Sequence, residues 1–596
     1  MSQSAVQSVL RNQVRSKVRS SISVHQIQKC TLATVAPITS LTNSGKGHKV
    51  VVVGGGAAGL AVGHQLLRSG KFAANDIAII DPADHHNYQP GWTLVGGGLK
   101  KKEDLQRPMQ SLIDSKLKFY QEAVTGFEPD KNVVALSNGD KITYDQLVVA
   151  PGIKINIEAI DGLSDALQDP DSMVTTIYSY DHCCKVFPAI KRFKQGNALF
   201  TQPTGIVKCA GAPQKIMWLA LDHWKQQGSY LPKAPSQSPI KMTFATALPV
   251  MFGVPKYSQR LNQLREERGV DAMFEHDLIS VKDKVATFKS ANSKELIHKP
   301  FDFLHVVPKM GPYPFIKDSL LANEAGFVNV DETTLQHKEY PNVWSLGDAA
   351  ALPTSKTAAA ITAQTPIVVQ NVLKTLEGSK TLSLYDGYTS CPLTTEYGKV
   401  MLAEFKYGPE PKETFGKFLG IDQATPRRSF YYMKKDFFPW VYYKSMVKDS
   451  SEPVFAAAHD PNIAFSFSCV RDHAEVSANV IQEKERDFYA TYQLTSTMPM
   501  KYTEYIRSVG EFLGVTFQVK QVPYEEAVKM YCKGIIGSEE VDQVYRDEPE
   551  RLLLYYNRRG IEGSPGILQW LLGRPGITPA ELAVSILESS RESSSR

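Results

Sequence analysis

Lys49-Val50-Val51-Val52-Val53-Gly54-Gly55-Gly56-Ala57-Ala58-Gly59 is the stretch that decides the fold. Four successive β-branched residues read as a strand, and the apolar, helix-period run Leu60–Leu67 that follows reads as a helix. Between them Gly54, Gly56 and Gly59 fall on the spacing of a dinucleotide-binding turn. Gly54 makes the turn, Gly56 lets a pyrophosphate approach the backbone, and Gly59 lets helix and strand sit close. The bare amides that open the helix, at Ala57 and Ala58, hold the phosphates. A second strand, Asp76–Ile80, ends in Asp81, placed to accept hydrogen bonds from a ribose hydroxyl. An ordinary Gly-rich strand–helix turn is the alternative, and the strand, turn, helix and acid in that order favour the dinucleotide.

Working outward, 596 residues imply several domains. A formal net charge of +5 is small for this length and gives no ground for a nucleic-acid partner. No stretch approaches the roughly 18 uninterrupted apolar residues of a transmembrane helix. Seven cysteines do not make a disulfide scaffold, so any disulfide is expected to serve redox chemistry. Residues 1–46 lack Asp and Glu and carry Arg11, Arg15, Lys17, Arg19 and Lys29 among Ser, Thr and Gln. Val6, Val9, Leu10, Val14 and Val18 recur at helical spacing, the makeup of a mitochondrial transit peptide; a disordered basic tail is the alternative.

After Asp81 comes Asp84-His85-His86-Asn87-Tyr88-Gln89-Pro90-Gly91-Trp92-Thr93-Leu94-Val95-Gly96-Gly97-Gly98. This stretch resembles the mitochondrial-type sulfide:quinone oxidoreductases, members of the disulfide-reductase-like flavoproteins with two dinucleotide-binding-type domains. The resemblance covers roughly residues 48–448. It implies an α/β fold of two Rossmann-like domains, as in glutathione reductase, and FAD on the first, with this segment beside the flavin and Gln89 and Val124 among its contacts. Tyr144–Gly152 resembles a second flavin-side motif that ends in Gly152. Asn342-Val343-Trp344-Ser345-Leu346-Gly347-Asp348 resembles the late motif in which the Asp meets the ribityl chain. A helix start follows at Leu352–Ala358, with Lys356 either a charge near the isoalloxazine ring or a solvated lysine.

Asn197–Thr201 reads as the first strand of the second α/β domain. NAD(P)H-dependent relatives carry another glycine fingerprint at this point. Here the chain reads Gln202-Pro203-Thr204-Gly205-Ile206-Val207-Lys208-Cys209-Ala210-Gly211-Ala212-Pro213-Gln214-Lys215. The fingerprint is missing, and a cysteine flanked by Lys208 and Lys215 takes its place. Cationic neighbours lower a thiol pKa and favour the nucleophilic thiolate. This run and Tyr385-Asp386-Gly387-Tyr388-Thr389-Ser390-Cys391-Pro392-Leu393 both resemble the same family. The resemblance implies that Cys209 and Cys391 form a catalytic disulfide over the flavin. Cys30, Cys183 and Cys184 match no such motif and read as structural.

Residues 427–448 alternate aromatic and apolar residues with lysines. They read as a monotopic membrane patch beside a quinone entry, with core packing behind a basic face as the alternative. From Ser450 the character changes. Ser468–Glu475, Ala490–Leu494 and Pro549–Gly560 resemble the C-terminal part of NmrA-like proteins, without any phosphate loop. Both an interaction module and a gene-model fusion fit that segment.

The expected division is a transit peptide over 1–46, an FAD domain over 47–155 with its return at 321–395, and a second Rossmann-like domain over 156–320. A quinone and membrane region follows over 396–449, and a smaller α+β segment over 450–596. The resemblance implies that hydrosulfide opens the Cys209–Cys391 disulfide, leaving a persulfide on Cys391 and a thiolate on Cys209. Electrons then pass through FAD to ubiquinone, and sulfite, glutathione or cyanide takes the sulfane sulfur. The implied location is the surface of the inner mitochondrial membrane. The rivals are a type II NADH:quinone oxidoreductase, which needs the second fingerprint, and a non-catalytic FAD-binding redox sensor.

Overall fold

The structure, a computed structural model, describes residues 46–447 except 292, 294 and 416–420. Beyond them it describes 454–457, 460, 462–468, 472–477, 494–513, 518–535, 543–559 and 564–577. The expected transit peptide, apart from Lys46, lies outside the described residues, as do Cys30, Cys469 and most of Ala490–Leu494.

The opening stretch folds as read. Strand β1 (Gly47–Val53) runs into helix α1 (Ala57–Arg68), and β2 (Ile77–Ile80), β3 (Lys118–Tyr120), β4 (Val124–Glu128), β5 (Val133–Leu136) and β6 (Lys141–Val149) follow. They lie in the order β3-β2-β1-β6-β5-β4. β1 has parallel neighbours on both sides, Val52 opposite Ile79 on β2 and opposite Val148 on β6. Both its faces are covered, so Val50–Val53 are all buried and the strand shows no polar alternation.

The chain crosses to the second unit through Lys154–Asn156 and comes back through Lys309–Gly311, which pair antiparallel. Between them lies an all-parallel sheet of β7 (Val174–Thr175), β8 (Gly196–Gln202), β9 (Ile240–Thr246), β10 (Asp271–Phe274) and β11 (Phe303–His305). Their order is β7-β11-β8-β9-β10. Helix α2 (Ala212–Gln226) follows β8. The strand expected at Asn197–Thr201 is therefore the second of its sheet, because the two-residue edge strand β7 precedes it. So short a strand leaves no periodic signal.

On return, β12 (Val343–Ser345) adds to β6 in parallel as the seventh strand of the first sheet. Trp344 Nε1 donates to Gln146 Oε1 at 2.8 Å. Helix α3 (Ala358–Leu376) begins where expected, Thr357 capping it by accepting from the Ala360 amide at 3.0 Å. β13 (Thr389–Glu396) and β14 (Lys399–Lys406) form an antiparallel hairpin. The boundary expected between 395 and 396 cuts β13, a correction that follows from the hairpin being one cooperative element.

Residues 428–446 form consecutive helical turns, π-helical at Met433–Phe437 and Tyr442–Met446. Among the described residues no helix is long and apolar enough to cross a membrane. The described part of 450–596 includes helices over Tyr502–Leu513, Tyr524–Ile535, Gln543–Arg559 and Gly566–Leu572, helical residues at 472–477, and two two-stranded pairings.

Candidate active site

β1 and β6 end side by side at the fingerprint turn. Gly54 has φ +101°, and a Cβ there would lie 2.5 Å from the Ala150 carbonyl oxygen. A Cβ on Gly59 would lie 1.8 Å from the Gly54 carbonyl oxygen, so only glycine lets α1 approach β1 this closely. A Cβ on Gly56 would meet nothing within 4 Å, so the turn is open on that side. α1 has no side-chain cap and no acid in its first turn. Its leading amides, at Ala57 and Ala58, are thus left for an anion, and this cradle fits a dinucleotide pyrophosphate. Asp81 accepts from the Gly55 amide at 2.6 Å and the Ala83 amide at 2.8 Å, and burial pushes its carboxyl up. It braces the turn as well as standing at the end of β2. Val124 is buried at the start of β4, and Gly152 (φ +79°) stands in open space just past β6.

Asp348 sits in the single turn Gly347–Ala349, whose Gly347 amide donates to Gln364 Oε1 at 2.8 Å. Lys356 is buried and donates to the Ala350 carbonyl at 2.6 Å; burial pushes it down to about 8, against the pull of Asp348. The solvated reading of Lys356 is therefore corrected.

The second unit's opening turn holds the sulfur. Cys209 lies between β8 and α2 in the left-handed region, φ +52°. Its amide donates to the Lys356 carbonyl at 2.7 Å, and its own carbonyl accepts from Ala212 at 2.8 Å. Cys391 on β13 is buried, and the two Sγ atoms are 3.3 Å apart. Gly211 permits this approach, since a Cβ there would lie 2.6 Å from Cys391 Sγ. Lys215, in the first turns of α2, is buried and donates to Cys209 Sγ at 3.1 Å.

The pair is electrostatically unequal. The Cys391 thiol donating to its sulfur holds Cys209 well below an ordinary thiol, and the Lys215 charge adds to this against the cost of burial. Cys391 is pushed well up by the same hydrogen bond and by burial. Burial opposes the Lys215 charge, yet the two sulfurs hold its pKa above the usual range.

Two lysine assignments change. Lys208 does not face Cys209; its ammonium donates to Gln89 Oε1 at 2.9 Å, on the first unit. The second cation at the sulfurs is Lys434, which sequence reading had placed in the lipid-facing run. It lies in the π-helical turns, buried, and donates to the Pro392 carbonyl at 3.2 Å. Burial, helped by repulsion from Lys215, pushes it down to about 7.

The rest of 427–447 divides between inside and outside. Phe430, Tyr431 and Tyr442 are buried, whereas Tyr432, Phe437 and Trp440 are 60%, 50% and 57% exposed along one edge. Core packing therefore accounts for part of the run and leaves an exposed aromatic edge. Tyr442 reaches the first unit, its hydroxyl 2.6 Å from His86 Nε2, while His86 Nδ1 lies 3.0 Å from the Gly55 carbonyl oxygen. Cys183 is buried, which pushes it up to about 12. Cys184 is exposed and donates only a weak bond, 3.7 Å to the Asp181 carbonyl, so its expected structural role finds no support.

A phosphate turn on one sheet, with a cysteine pair beside the matching turn of a second, defines a flavin-dependent oxidoreductase of the disulfide-reductase type. The pyridine nucleotide-disulphide oxidoreductase family matches residues 48–185. The chain is 45% identical over 423 residues to the mitochondrial sulfide:quinone oxidoreductase of Schizosaccharomyces pombe, covering 67% of this chain and 90% of that one. It is 40% identical over 404 residues to the Mus musculus protein of the same name, covering 67% of this chain and 86% of that one. The crystal structure of the Aquifex aeolicus sulfide:quinone oxidoreductase superposes with a TM-score of 0.56 at 18% identity, over 68% of this chain and 93% of that one, a likeness of fold. The chain belongs to the sulfide:quinone oxidoreductase family.

Proposed function

We propose that this chain is a mitochondrial, FAD-dependent sulfide:quinone oxidoreductase working through Cys209 and Cys391. The observation that carries the mechanism is the cysteine pair, 3.3 Å apart and unequal in acidity. In the oxidised enzyme the two form a disulfide. Hydrosulfide, drawn by Lys215 and Lys434, attacks Cys391. The bond between the cysteines breaks and its electron pair leaves on Cys209, whose thiolate the Lys215 ammonium stabilises, making it the better leaving group. Lys215 holds that thiolate, and the sulfane sulfur stays on Cys391. Sulfite, glutathione or cyanide then removes it.

FAD, when bound, supplies the two-electron chemistry that connects the Cys209 thiolate to ubiquinone. Gly54, Gly56, Ala57, Ala58 and Gly59 would hold its pyrophosphate and Asp81 its ribose. Gln89, Val124 and Gly152 would line its flank, and Asp348 and Lys356 would stand at the ribityl and ring side. The exposed edge of Tyr432, Phe437 and Trp440 supports docking on the inner membrane, where quinone enters.

Anaerobic titration with sulfide followed by ubiquinone tests this reading. Sulfide should bleach the flavin, and quinone should restore it over repeated cycles. Bleaching without reoxidation would make the protein a sensor; no bleaching would remove the activity.

A further inference from the structure

The apolar cluster that holds Cys391 also holds Tyr178, whose hydroxyl the mechanism has not used. Tyr178 follows the edge strand β7, anchored by its amide donating to Thr176 Oγ1 at 3.2 Å. Its ring is buried in the apolar cluster that includes Val207, Ala212, Ile216 and Cys391, with Cys209 at the edge. Its hydroxyl is fully buried and has no hydrogen-bond partner. Three other buried tyrosine hydroxyls are bonded: Tyr230 to the Arg268 and Gly269 carbonyls, Tyr257 to the Glu404 carbonyl, and Tyr442 to His86. Among the described residues one other buried tyrosine hydroxyl is orphaned, that of Tyr144, and its charged neighbours are Tyr340 and Asp130 on the outer side of the first unit. The ionisable groups acting on Tyr178 are Cys209 and Cys391. An unsatisfied buried donor is costly and calls for a partner that arrives with the reaction.

We propose that Tyr178 donates its O–H to the outer sulfur of the Cys391 persulfide. The inference rests on the cysteine-pair mechanism above. Hydrosulfide's sulfur bonds to Cys391 Sγ, the Cys209–Cys391 bond breaks, and its electron pair stays on Cys209. Sulfide's hydrogen stays on the new outer sulfur, whose lone pair accepts from the phenol. No proton leaves the tyrosine. The hydroxyl thereby holds the sulfane sulfur in one position for the acceptor, and it has nothing to bond until that sulfur is in place.

Tyr178→Phe removes only the orphaned hydroxyl. FAD content and Tm should match the wild type. Single-turnover sulfane sulfur, measured by cyanolysis, should form about tenfold more slowly, as expected for one lost hydrogen bond to a polar sulfur in a buried site. The fall should appear in kcat more than in KM for sulfide. Site-specific 3-fluorotyrosine at 178, a stronger donor of the same shape, should prolong the life of the persulfide, and it provides the test should the Phe variant not fold. Unchanged cyanolysis kinetics in either variant would overturn the proposal. Sulfane sulfur still forming in Cys391→Ser would instead overturn the mechanism on which it rests, so the two failures are distinguishable.

Discussion

The two large sheets present the same unit, strand then turn then helix, and differ in what the turn presents. At Gly54–Gly59 the left-handed residue is a glycine, and the turn offers bare backbone amides on an open face. At Pro203–Gly211 the left-handed residue is Cys209, which bears a Cβ that glycine lacks. Such a residue costs about 1 kcal/mol or more, and the hydrogen bonds to Lys356 and from Ala212 offset it. The first turn gives up side chains so that a ligand can reach the main chain. The second gives up that approach so that one side chain can be aimed. The same supersecondary unit can thus serve as a dinucleotide cradle or as a thiol holder, depending on which atom occupies the space in front of the helix.

The largest effect expected from breaking this arrangement is at the sulfurs. Cys209→Ser and Cys391→Ser should each remove sulfide:quinone turnover, by about a thousandfold or more, while FAD stays bound. Wild-type-like turnover in either would defeat the mechanism.

Donor choice comes next. A nicotinamide dinucleotide needs amides at its pyrophosphate, and Pro203 and Pro213 have none to give. NADH and NADPH should therefore reduce the flavin at least about a hundredfold more slowly than sulfide in stopped flow at equal concentration. Equal rates would move the assignment to the NADH enzymes.

Lys215→Met should raise the Cys209 pKa, because the charge removed is one that lowers it. In the reduced wild type the alkylation rate of Cys209 should level off at a lower pH than in the variant, because the rate follows the thiolate fraction. In the variant the levelling-off pH should rise by about one unit, and below it the rate should fall by up to about tenfold. An unchanged profile in the variant would remove Lys215 from its role.

Lys434→Met should act in the same direction but more weakly. Lys434 is pushed down to about 7, so it is charged below that pH and neutral above it, and its help should fade between pH 6 and 8. Lys208→Met should leave thiol alkylation within about twofold of wild type, since its ammonium lies on Gln89. A large change there would restore the role that sequence adjacency suggested.

What was legible in the sequence was what local chain geometry dictates. Gly54, Gly56 and Gly59 were readable because a tight strand–helix crossing leaves no room for a side chain, whatever surrounds it. Lys215 was readable because a residue in the first turns of α2 lies beside the residue just before that helix. Adjacency in the chain does not fix side-chain direction, and the Lys208 ammonium reaches Gln89 instead. Lys434 was hidden among Lys435, Lys444 and Lys448 in a run rich in aromatic residues. Only the packing of the helical turns on the β13–β14 hairpin separates the one that reaches Pro392, next to Cys391. Tyr178 follows a strand too short to give a pattern.

His86 is a tie rod between the two ends of the flavoprotein. One ring nitrogen meets the Gly55 carbonyl in the phosphate turn and the other meets the Tyr442 hydroxyl. Burial pushes the imidazole down to about 4, so it stays neutral at physiological pH and one nitrogen must accept while the other donates. The turn and the aromatic tail are therefore ordered together. Linkage is reciprocal, so whatever steadies the phosphate turn also steadies the tail.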